Sequence, residues 1–559
     1  MKKQIRFTQV AQAVIAGVLV LSGIGPLNAG EQAKQAAAAR VADYVHSQKA
    51  CRQVLTPEGA FVNVFNPQVA EWLRRKLDAA LIREMRKALE PHLRIRLNRR
   101  GFAPAATRAT EGKKDTTNYD AIWVRDNVWV YHCLRRQPAR RDDAMKLLLA
   151  LWDYYATDAQ IQRFENVIAN PSLRLDKMAM PHIRFDGNSA DLGDVMQDGK
   201  PEEWNHRQID AHGLFFAALG DAVLEGMITV KQATERRLHV LGLYPLFLAR
   251  IDFTHYEDAG AWEEIPRRNT SSIGLVTRSL QVWRRVVHMG EPQLHKRFRS
   301  RFLQQLTTST AAVQGQWKAD ALDRLIAAGL DTVHRQLALG GESPAYAPED
   351  VHFRRADCAL AFLIQPAPLE GLSEADMRRI LLIVETLRRP SGVLRYNHDS
   401  YQSGNYWIAS PPAADTHAAG LTADTSSQSA YLDRLSRLMP ETEAQWFFDS
   451  ILAMDRLYLA GITEDANLRR QDMHDAAVHL KRALGQLTGD TMTSDGQMAP
   501  PWQAPESINT VIVAGQAYYL PSPIVPLNWA KAGLSMALDV YAETLAGSDW
   551  KPPQGAAGP

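Results

Sequence analysis

Five short segments of the sequence place tryptophan beside carboxylates, arginines and amides. They are residues 119–127, 204–210, 261–264, 394–407 and 501–506. This mixture suits sugars, because the apolar C–H faces of a pyranose ring pack on aromatic side chains while its hydroxyls need paired donors and acceptors. Cleavage of a glycosidic bond needs two carboxyl groups, one as acid and one as base or nucleophile. A single Trp–Glu pair is more often core beside surface charge, but five such segments together predict a carbohydrate site.

Histidines and cysteines show no pattern of a metal site. His182 and His206 lie near the tryptophan segments, but their spacing matches no zinc signature, and we interpret them as sugar contacts or satisfied loop histidines. The cysteines, Cys51, Cys133 and Cys358, form no C-x-x-C pair, and small buried side chains are the simplest interpretation. We therefore expect neither a metal nor an organic cofactor.

Helical periodicity dominates the elements that must position these segments. Apolar residues repeat at intervals of three and four in eleven stretches, and we predict one more helix near Asp126. The stretches are residues 67–93, 142–155, 209–224, 231–248, 272–287, 293–306, 320–337, 374–387, 443–459, 467–487 and 526–545. Such helices, joined by long loops rich in Trp, Gly, Asn and Asp, favour an all-α toroid of paired helices with a cleft at one end. A solenoid of repeats is the competing architecture, but no fixed sequence period supports it.

Length, composition and charge exclude several classes of protein. The chain has 559 residues, of which 46% are hydrophobic and 23% charged, and this ordinary globular composition excludes disorder as the main state. The formal net charge of +2 gives no electrostatic case for nucleic acid as a partner. Nothing in the sequence assigns an oligomeric state.

The first residues have the pattern of a secretory signal peptide. Residues 1–29 begin with Lys2, Lys3 and Arg6, continue with an apolar run and end at a small residue suited to cleavage. The run is shorter than the ~20 apolar residues of a membrane span, so we expect no stable span after cleavage; a retained anchor is the alternative. No cysteine follows the run closely, which argues against a lipoprotein. The prediction is an exported protein, periplasmic or secreted.

Composition also divides the rest of the chain. We predict an N-terminal helical arm over residues 30–110, the main helical domain over residues 111–545 and a disordered tail over residues 546–559. Residues 408–441 are polar and rich in Ser, Thr, Ala and Asp, and we interpret them as an insertion with one short helix.

Several segments match the motifs of a known family in the family's order. Residues 123–126 read W-V-R-D, residues 204–210 read W-N-H-R-Q-I-D, and residues 395–407 contain R-Y-x-x-D-x-Y-x-x-G-N-x-W. On these motifs the chain resembles glycoside hydrolase family 15, the glucoamylase family, over about residues 119–545. It is also similar to a relative of that family, the glucoamylase-like domain of phosphorylase kinase regulatory subunits. The resemblance implies an (α/α)6 barrel with the site at one end.

The resemblance implies roles for individual residues. Arg125 and Asp126 would hold the non-reducing terminal sugar, and Trp204 would pack near the scissile bond. The residues alone do not choose between Glu263 and Glu264, but the match makes Glu263 the general acid and Glu264 a sugar-binding residue of the next subsite. The other expected substrate-binding residues are Trp123, Asp210, Trp262, Arg395 and Trp529.

Glu506 is the expected general base. In the family the base lies in a loop reading P-E-Q before a helix that begins P-L-x-W, and here Pro505-Glu506-Ser507 precedes residues 526–529. Serine in place of glutamine and the long stretch before Pro526 depart from the family pattern. The alternative for Glu506 is a solvated loop carboxylate.

The predicted function is an exported hydrolase that removes terminal α-linked glucose from the non-reducing end of an α-glucan or oligosaccharide. In the family the reaction proceeds with inversion, with Glu263 as acid and Glu506 as base. Trehalose, isomaltose-type and dextran linkages remain open as substrates. The competing hypothesis is a non-catalytic carbohydrate-binding protein on the same scaffold, as in phosphorylase kinase subunits. The position of Glu506 discriminates, because a base faces the site whereas a loop carboxylate faces solvent.

Overall fold

The computed structural model describes residues 29–47, 51–106, 118–197, 199–288, 296–408 and 427–547. Apart from Ala29, the predicted signal peptide lies outside these ranges. Residues 409–426 of the polar insertion and residues 548–559 of the predicted tail also lie outside them.

Helices account for most of the described chain. The α-helices are α1 (Ala29–Ser47), α2 (Pro67–Leu73), α3 (Ala79–Leu93), α4 (Val124–Arg136), α5 (Arg141–Tyr155), α6 (Asp158–Ala169), α7 (Ile209–Leu224), α8 (Glu235–Ile251), α9 (Thr270–His288), α10 (Lys296–Leu306), α11 (Ala311–Gln316), α12 (Ala319–Leu339), α13 (Glu374–Glu385), α14 (Gln428–Ser436), α15 (Asp449–Ile462), α16 (Ala466–Gly485) and α17 (Asn528–Leu545). The strands are short: β1 (Arg52–Leu55), β2 (Phe61–Val64), β3 (Ile122–Trp123), β4 (Arg184–Phe185), β5 (Met196–Gln197), β6 (Lys200–Pro201), β7 (Arg388–Arg389), β8 (Gly392–Val393), β9 (Gln445–Trp446), β10 (Thr491–Met492), β11 (Met498–Ala499), β12 (Ser507–Val513) and β13 (Gln516–Pro521).

Six inner elements of the described chain form a closed ring in which each packs against the next. Their order is α4, α7, α9, the 3-10 helix Cys358–Leu363, α15 and α17, and α17 packs back against α4. An outer helix precedes each inner element along the chain, namely α3, α5, α8, α12, α13 and α16. This alternation of outer and inner helices is an (α/α)6 barrel, which confirms the predicted all-α fold.

The inner helices approach each other closely and are buried on nearly every side. In α7 almost every residue is buried, as expected of a helix with protein all around it. A Cβ atom on Gly213 would lie 2.6 Å from the backbone of Leu275 in α9, so only glycine allows these two helices to pack at this distance.

Two predicted helices differ from those observed. Residues 67–93 form α2 and α3 instead of one helix, because Asp78 begins a new helix by accepting a hydrogen bond from the backbone N–H of Leu81 at 2.8 Å. The helix predicted to begin at residue 443 begins at Asp449, because the preceding residues form β9, which pairs with β8 and β12.

A five-stranded sheet with the order β13-β12-β9-β8-β7 lies beside the ring. The long stretch between Ser507 and Pro526, which departs from the family pattern, contains the antiparallel hairpin of β12 and β13. A small second core joins this hairpin to α1, where Val41 packs with Val511 and Leu520. The hairpin therefore has support on both sides, from the sheet and from α1.

Across the described ranges, none of the helices combines the length and the apolar character needed to cross a membrane.

Candidate active site

The predicted site residues gather at one end of the ring. Trp123 is the N-cap of α4, Arg125 lies in the first turn of that helix, and Trp529 lies in the first turn of α17. Glu263 occupies the loop before α9, and Trp204 the loop before α7. Because an outer helix returns the chain between successive inner elements, the inner helices run in the same direction and their N-terminal ends share one face.

A cavity opens at this end of the ring. The predicted residues that line it are Trp123, Arg125, Asp126, Trp204, Trp262, Glu263, Arg395, Glu506 and Trp529. Asp210 and Glu264, also predicted to bind substrate, lie behind the wall and are 0% and 1% exposed. Tyr119, Tyr401, Arg434 and Trp446 line the cavity without having been predicted.

Two tryptophans of the wall are fixed by a buried arginine. Trp123 and Trp204 meet edge to face with ring centroids 6.0 Å apart. The Arg184 guanidinium lies 4.0 Å from the Trp204 ring centroid and 4.8 Å from that of Trp123, within the range of cation–π attraction. Strand pairing places Arg184 opposite Trp123, and Glu202 accepts a 2.8 Å hydrogen bond from Arg184. The wall is thus a rigid aromatic surface.

Several indole N–H groups around the cavity have no protein acceptor. Nε1 of Trp204, Trp446 and Trp529 is buried without a hydrogen-bond partner among the described residues. Buried donors in native proteins are nearly always satisfied, so these three call for water or a ligand with oxygen acceptors. A bound sugar offers such acceptors in its hydroxyl groups.

Arg125 links the starts of two inner helices to the proposed acid. Its Nε donates to Asp210 Oδ2 at 2.7 Å, and its Nη2 donates to Gln208 Oε1 at 2.6 Å and to the carbonyl of Gly260 at 3.3 Å. Its Nη1 lies 3.7 Å from Glu263 Oε1. Asp210 is therefore a positioning residue for Arg125, which itself reaches the cavity.

Glu263 has the environment that a general acid requires. It adopts left-handed backbone geometry, with φ 63°, immediately after the 3-10 helix Gly260–Trp262, a conformation that is uncommon for a non-glycine residue. Its side chain is 19% exposed in the cavity. Burial raises the pKa of the Glu263 carboxyl, while the nearby charge of Arg125 opposes the shift. The raised pKa favours the protonated form.

Glu506 faces the cavity and is held by two donors. It is 5% exposed and directly precedes β12. The Tyr119 hydroxyl donates to Oε1 at 2.8 Å, and Gln402 Nε2 donates to Oε2 at 2.5 Å. Burial raises the pKa of Glu506 to about 7, although both hydrogen bonds favour the ionised form. Glu506 is thus a buried carboxyl that titrates near neutral pH, and not a solvated loop residue.

Asp126 is a third carboxyl of the cavity. It lies one residue after Arg125, and burial raises its pKa to about 7, while the Arg125 charge opposes the shift. A cavity-facing carboxyl next to a guanidinium suits the paired donors and acceptors of a sugar.

Arg395 and Trp262 form the opposite part of the lining. Arg395 makes two hydrogen bonds to Asp399, at 2.6 and 2.7 Å, and its guanidinium lies 4.7 Å from the Trp446 ring centroid. The indole N–H of Trp262 donates to Asp357 at 2.8 Å. Both side chains are held by buried carboxylates, which fixes their orientation before any ligand arrives.

Glu264 is enclosed by cations. Its oxygens lie near Tyr396 Oη (2.6 Å), Arg434 Nη2 (2.6 Å), Arg354 Nη2 (3.1 Å), Arg395 Nη2 (3.4 Å) and Arg267 Nη1 (3.9 Å). Burial alone would raise the pKa of Glu264, but the guanidinium groups outweigh it and hold the pKa below its ordinary value. Glu264 is therefore an ionised anchor for arginines.

The two histidines considered as metal ligands have other partners. His182 Nδ1 lies 2.6 Å from Asp194 Oδ1, and its Nε2 lies 2.9 Å from the carbonyl of Met178. The rings of His182 and His206 stack with centroids 3.6 Å apart. Together with Asp194, the two histidines form the cluster of potential metal ligands among the described residues. One potential ligand atom of each residue lies within 4.8 Å of the others, and both ring nitrogens of His182 already have partners in Asp194 and Met178.

The sequence signals differ among the unpredicted residues. Tyr119 begins one of the tryptophan segments, and Gln402 lies within the motif of residues 395–407, so both have a signal in the sequence. Arg434 comes from the polar insertion and had no sequence signal.

Comparisons with known proteins give partial matches. An uncharacterized lipoprotein of Escherichia coli (strain K12), YgeQ, is 39% identical over 163 residues, which are 28% of this chain and 61% of YgeQ. The putative protein YgeP of the same organism is 45% identical over 58 residues, 10% of this chain and 56% of YgeP. The chain thus spans about three fifths of the length of these curated relatives.

Two glucoamylases of known structure and one family model are similar to this chain. The glucoamylase of Hormoconis resinae is 14% identical with a TM-score of 0.47, over 84% of this chain and 74% of that one. The glucoamylase of Saccharomycopsis fibuligera is 12% identical with a TM-score of 0.45, over 84% of this chain and 97% of that one. The model of glycosyl hydrolases family 15 matches residues 85–523, which include Trp123, Glu263 and Glu506. The resemblance drawn from the motifs is confirmed, and the chain belongs to glycosyl hydrolases family 15.

Proposed function

We propose that the protein is an exported hydrolase that releases terminal α-linked glucose from the non-reducing end of an α-glucan or oligosaccharide, with inversion. The position of Glu506 carries the proposal. It is buried, faces the same cavity as Glu263 and is held by Tyr119 and Gln402. This is the arrangement expected of a base, and it favours an enzyme over a non-catalytic carbohydrate-binding protein.

In the proposed reaction each carboxyl has one task. Glu263, protonated in its buried position, donates its proton to the glycosidic oxygen. Glu506, ionised, accepts a proton from a water molecule that attacks the anomeric carbon. An inverting enzyme needs room for this water, and its carboxyl groups are typically ~6.5–9.5 Å apart. Arg125 and Asp126 would hold the terminal sugar, with Trp123 and Trp204 against its apolar faces.

Product analysis tests this proposal. Purified protein is incubated with maltose, maltotriose, isomaltose, trehalose and dextrin, and the first glucose anomer is followed by NMR. We expect initial release of β-glucose, and the preferred substrate identifies the linkage. Trehalose would give β- and α-glucose in equal amounts, because its leaving glucose keeps the α configuration. From the other substrates, release of the non-reducing-end glucose as the α anomer would refute inversion. Binding of these sugars without release would favour the non-catalytic hypothesis.

Variants connect the activity to the two carboxyls. Glu263→Gln and Glu506→Gln are each expected to lower kcat by a hundredfold or more, roughly the contribution of general acid–base catalysis, while sugar binding by calorimetry persists. Glu203→Gln is a matched control, because its side chain is 76% exposed and pairs with Lys177 outside the cavity lining. Residual activity of Glu263→Gln close to that of this control would exclude Glu263 as the acid.

A further inference from the structure

Arg434 brings an additional cation into the cavity. It lies on α14, within the polar insertion, and lines the cavity with a side chain that is 14% exposed. Its Nη2 donates to Glu264 at 2.6 Å and its Nε donates to Ser400 Oγ at 3.0 Å. The guanidinium also lies 5.4 Å from the ring centroid of Tyr401. These contacts hold Arg434 in place.

A second residue of α14 shows that the helix is seated on the site. Tyr431 lies three residues before Arg434, so both side chains are on one face of the helix. Tyr431 is 5% exposed, and its ring lies 5.4 Å from the guanidinium of Arg267. The position of Arg434 therefore does not depend on its own contacts alone.

The arginine cluster carries more positive than negative charge. It comprises four guanidinium groups and three carboxylates, namely Arg267, Arg354, Arg395, Arg434, Glu264, Asp357 and Asp399. Arg395 is paired by Asp399 and Arg354 by Asp357. Glu264, which all four guanidinium groups approach, is then the one remaining carboxylate for Arg267 and Arg434. Since arginine stays protonated, one positive charge is left over, and Arg434 is the member of this unbalanced pair that lines the cavity.

The location of Arg434 indicates which part of a substrate it meets. Glu264 directly follows Glu263, the proposed acid, which donates its proton to the leaving oxygen. The family resemblance assigns Glu264 to the next subsite, and we therefore place the guanidinium bound to it on the leaving-group side of the bond. Glu264 itself is 1% exposed and covered, so in its place the cavity presents a cation.

We propose that Arg434 recognises an anionic group, a carboxylate or a phosphate, on the leaving group of the glycoside. A planar guanidinium forms paired, charge-assisted hydrogen bonds with either anion. The inference rests on the proposed hydrolase function, because it specifies the leaving group for that same reaction. The preferred substrate is then an α-glucoside of an acidic sugar or alcohol, and not a neutral glucan.

Matched substrates test whether a carboxylate on the leaving group is recognised. Maltitol and maltobionate both carry an α-1,4-linked glucose on an open-chain polyol, and they differ by one carboxylate. We expect kcat/KM to be at least tenfold higher for maltobionate. Trehalose and trehalose 6-phosphate form the corresponding pair for phosphate, and a preference confined to one pair identifies the anion.

Variants of α14 assign the preference to one side chain. Arg434→Gln is expected to bring kcat/KM for charged and neutral substrates to the same value. Arg434→Lys is expected to retain part of the preference for the charged substrate. Arg437→Gln is the matched control on the same helix, because that side chain is 51% exposed and pairs with Asp433. The control should keep the full preference.

The outcomes separate this inference from the proposed function. Equal hydrolysis within both pairs of substrates, with the charged and the neutral member changed alike by Arg434→Gln, overturns the inference and leaves the hydrolase intact. Failure to release glucose from any of these four substrates and from maltose, maltotriose, isomaltose and dextrin overturns the hydrolase. Calorimetry then decides the inference by itself. Tighter binding of the charged member of either pair, lost in Arg434→Gln, supports it, and equal binding within both pairs overturns it.

Discussion

Removal of the Tyr119 hydroxyl tests the proposed base through its titration. The hydroxyl donates a 2.8 Å hydrogen bond to Glu506, and burial already raises the pKa of that carboxyl to about 7. The hydrogen bond stabilises the ionised form, so Tyr119→Phe must raise the pKa further. A hydrogen bond to a charged group contributes roughly 1.5–3 kcal/mol. One pKa unit corresponds to about 1.4 kcal/mol, so we expect a rise of about one to two units.

The sign of the activity change follows from the role of the base. Only ionised Glu506 activates water, so kcat/KM falls as pH drops below its pKa. With a pKa of about 7, roughly a tenth of the enzyme is competent at pH 6, and with a pKa of about 8 roughly a hundredth is competent. At pH 6, kcat/KM of Tyr119→Phe should therefore be about tenfold lower than that of the wild type. At pH 9, where Glu506 is largely ionised in both, titration of this carboxyl should change kcat/KM little.

The assay is a profile of kcat/KM between pH 4.5 and 9.5, whose limbs report the free enzyme. Tyr401→Phe is the graded control, because the Tyr401 hydroxyl lies 3.0 Å from that of Tyr119, the group that donates to Glu506. It should shift the acidic limb in the same direction by a smaller amount. An acidic limb that stays fixed in Tyr119→Phe, or moves to lower pH, would refute Glu506 as the titrating base.

Three further predictions concern stability. Glu264→Gln leaves buried arginines without their carboxylate and should lower the free energy of unfolding by about 3–5 kcal/mol, measured with urea at pH 7. Because the pKa of Glu264 is lowered in the folded state, the stability difference between wild type and variant should shrink only when the pH falls below the ordinary pKa of a glutamate. Burial lowers the pKa of His479, but hydrogen bonds to two carboxylates outweigh this and raise it, so the stability lost in His479→Gln should be largest below pH 6.5 and diminish toward pH 9. Gly213→Ala forces a Cβ against backbone and should destabilise by about 1–3 kcal/mol or more, whereas Gly315→Ala, with open space around its Cβ, should be neutral or stabilising.

Much of the site could be predicted because its residues lie in short, ordered motifs. Trp123, Arg125 and Asp126 come from one motif, and the structure brings them to one cavity with Glu263 and Glu506. The regular periodicity of α7 similarly predicted its bounds at residues 209–224. Motif and periodicity succeed where the relevant interactions are local in sequence.

The remaining features depend on contacts between distant segments. Asp210 and Glu264 have the residue types of sugar ligands, but the arginines packed around them decide that they lie behind the wall. Arg434 reaches the cavity because α14 packs through Tyr431. No sequence motif predicts where this helix packs or which of its residues face the cavity. Helical periodicity extends over residues 443–448, but the pairing of β9 with β8 and β12 depends on distant segments that periodicity does not show.

The ring described above closes between α4 and α17, which lie near the two ends of the barrel domain. The cavity that Arg125 and Trp529 both line is therefore complete only when α17 has docked against α4. Such closure is a high-contact-order event, and we expect folding to be slow, because a long loop must be ordered before its contacts stabilise it. A chain interrupted before α17 would expose the apolar inner faces of its helices and would be prone to aggregation. Assembly of the cavity and completion of the chain are, in kinetic terms, the same step.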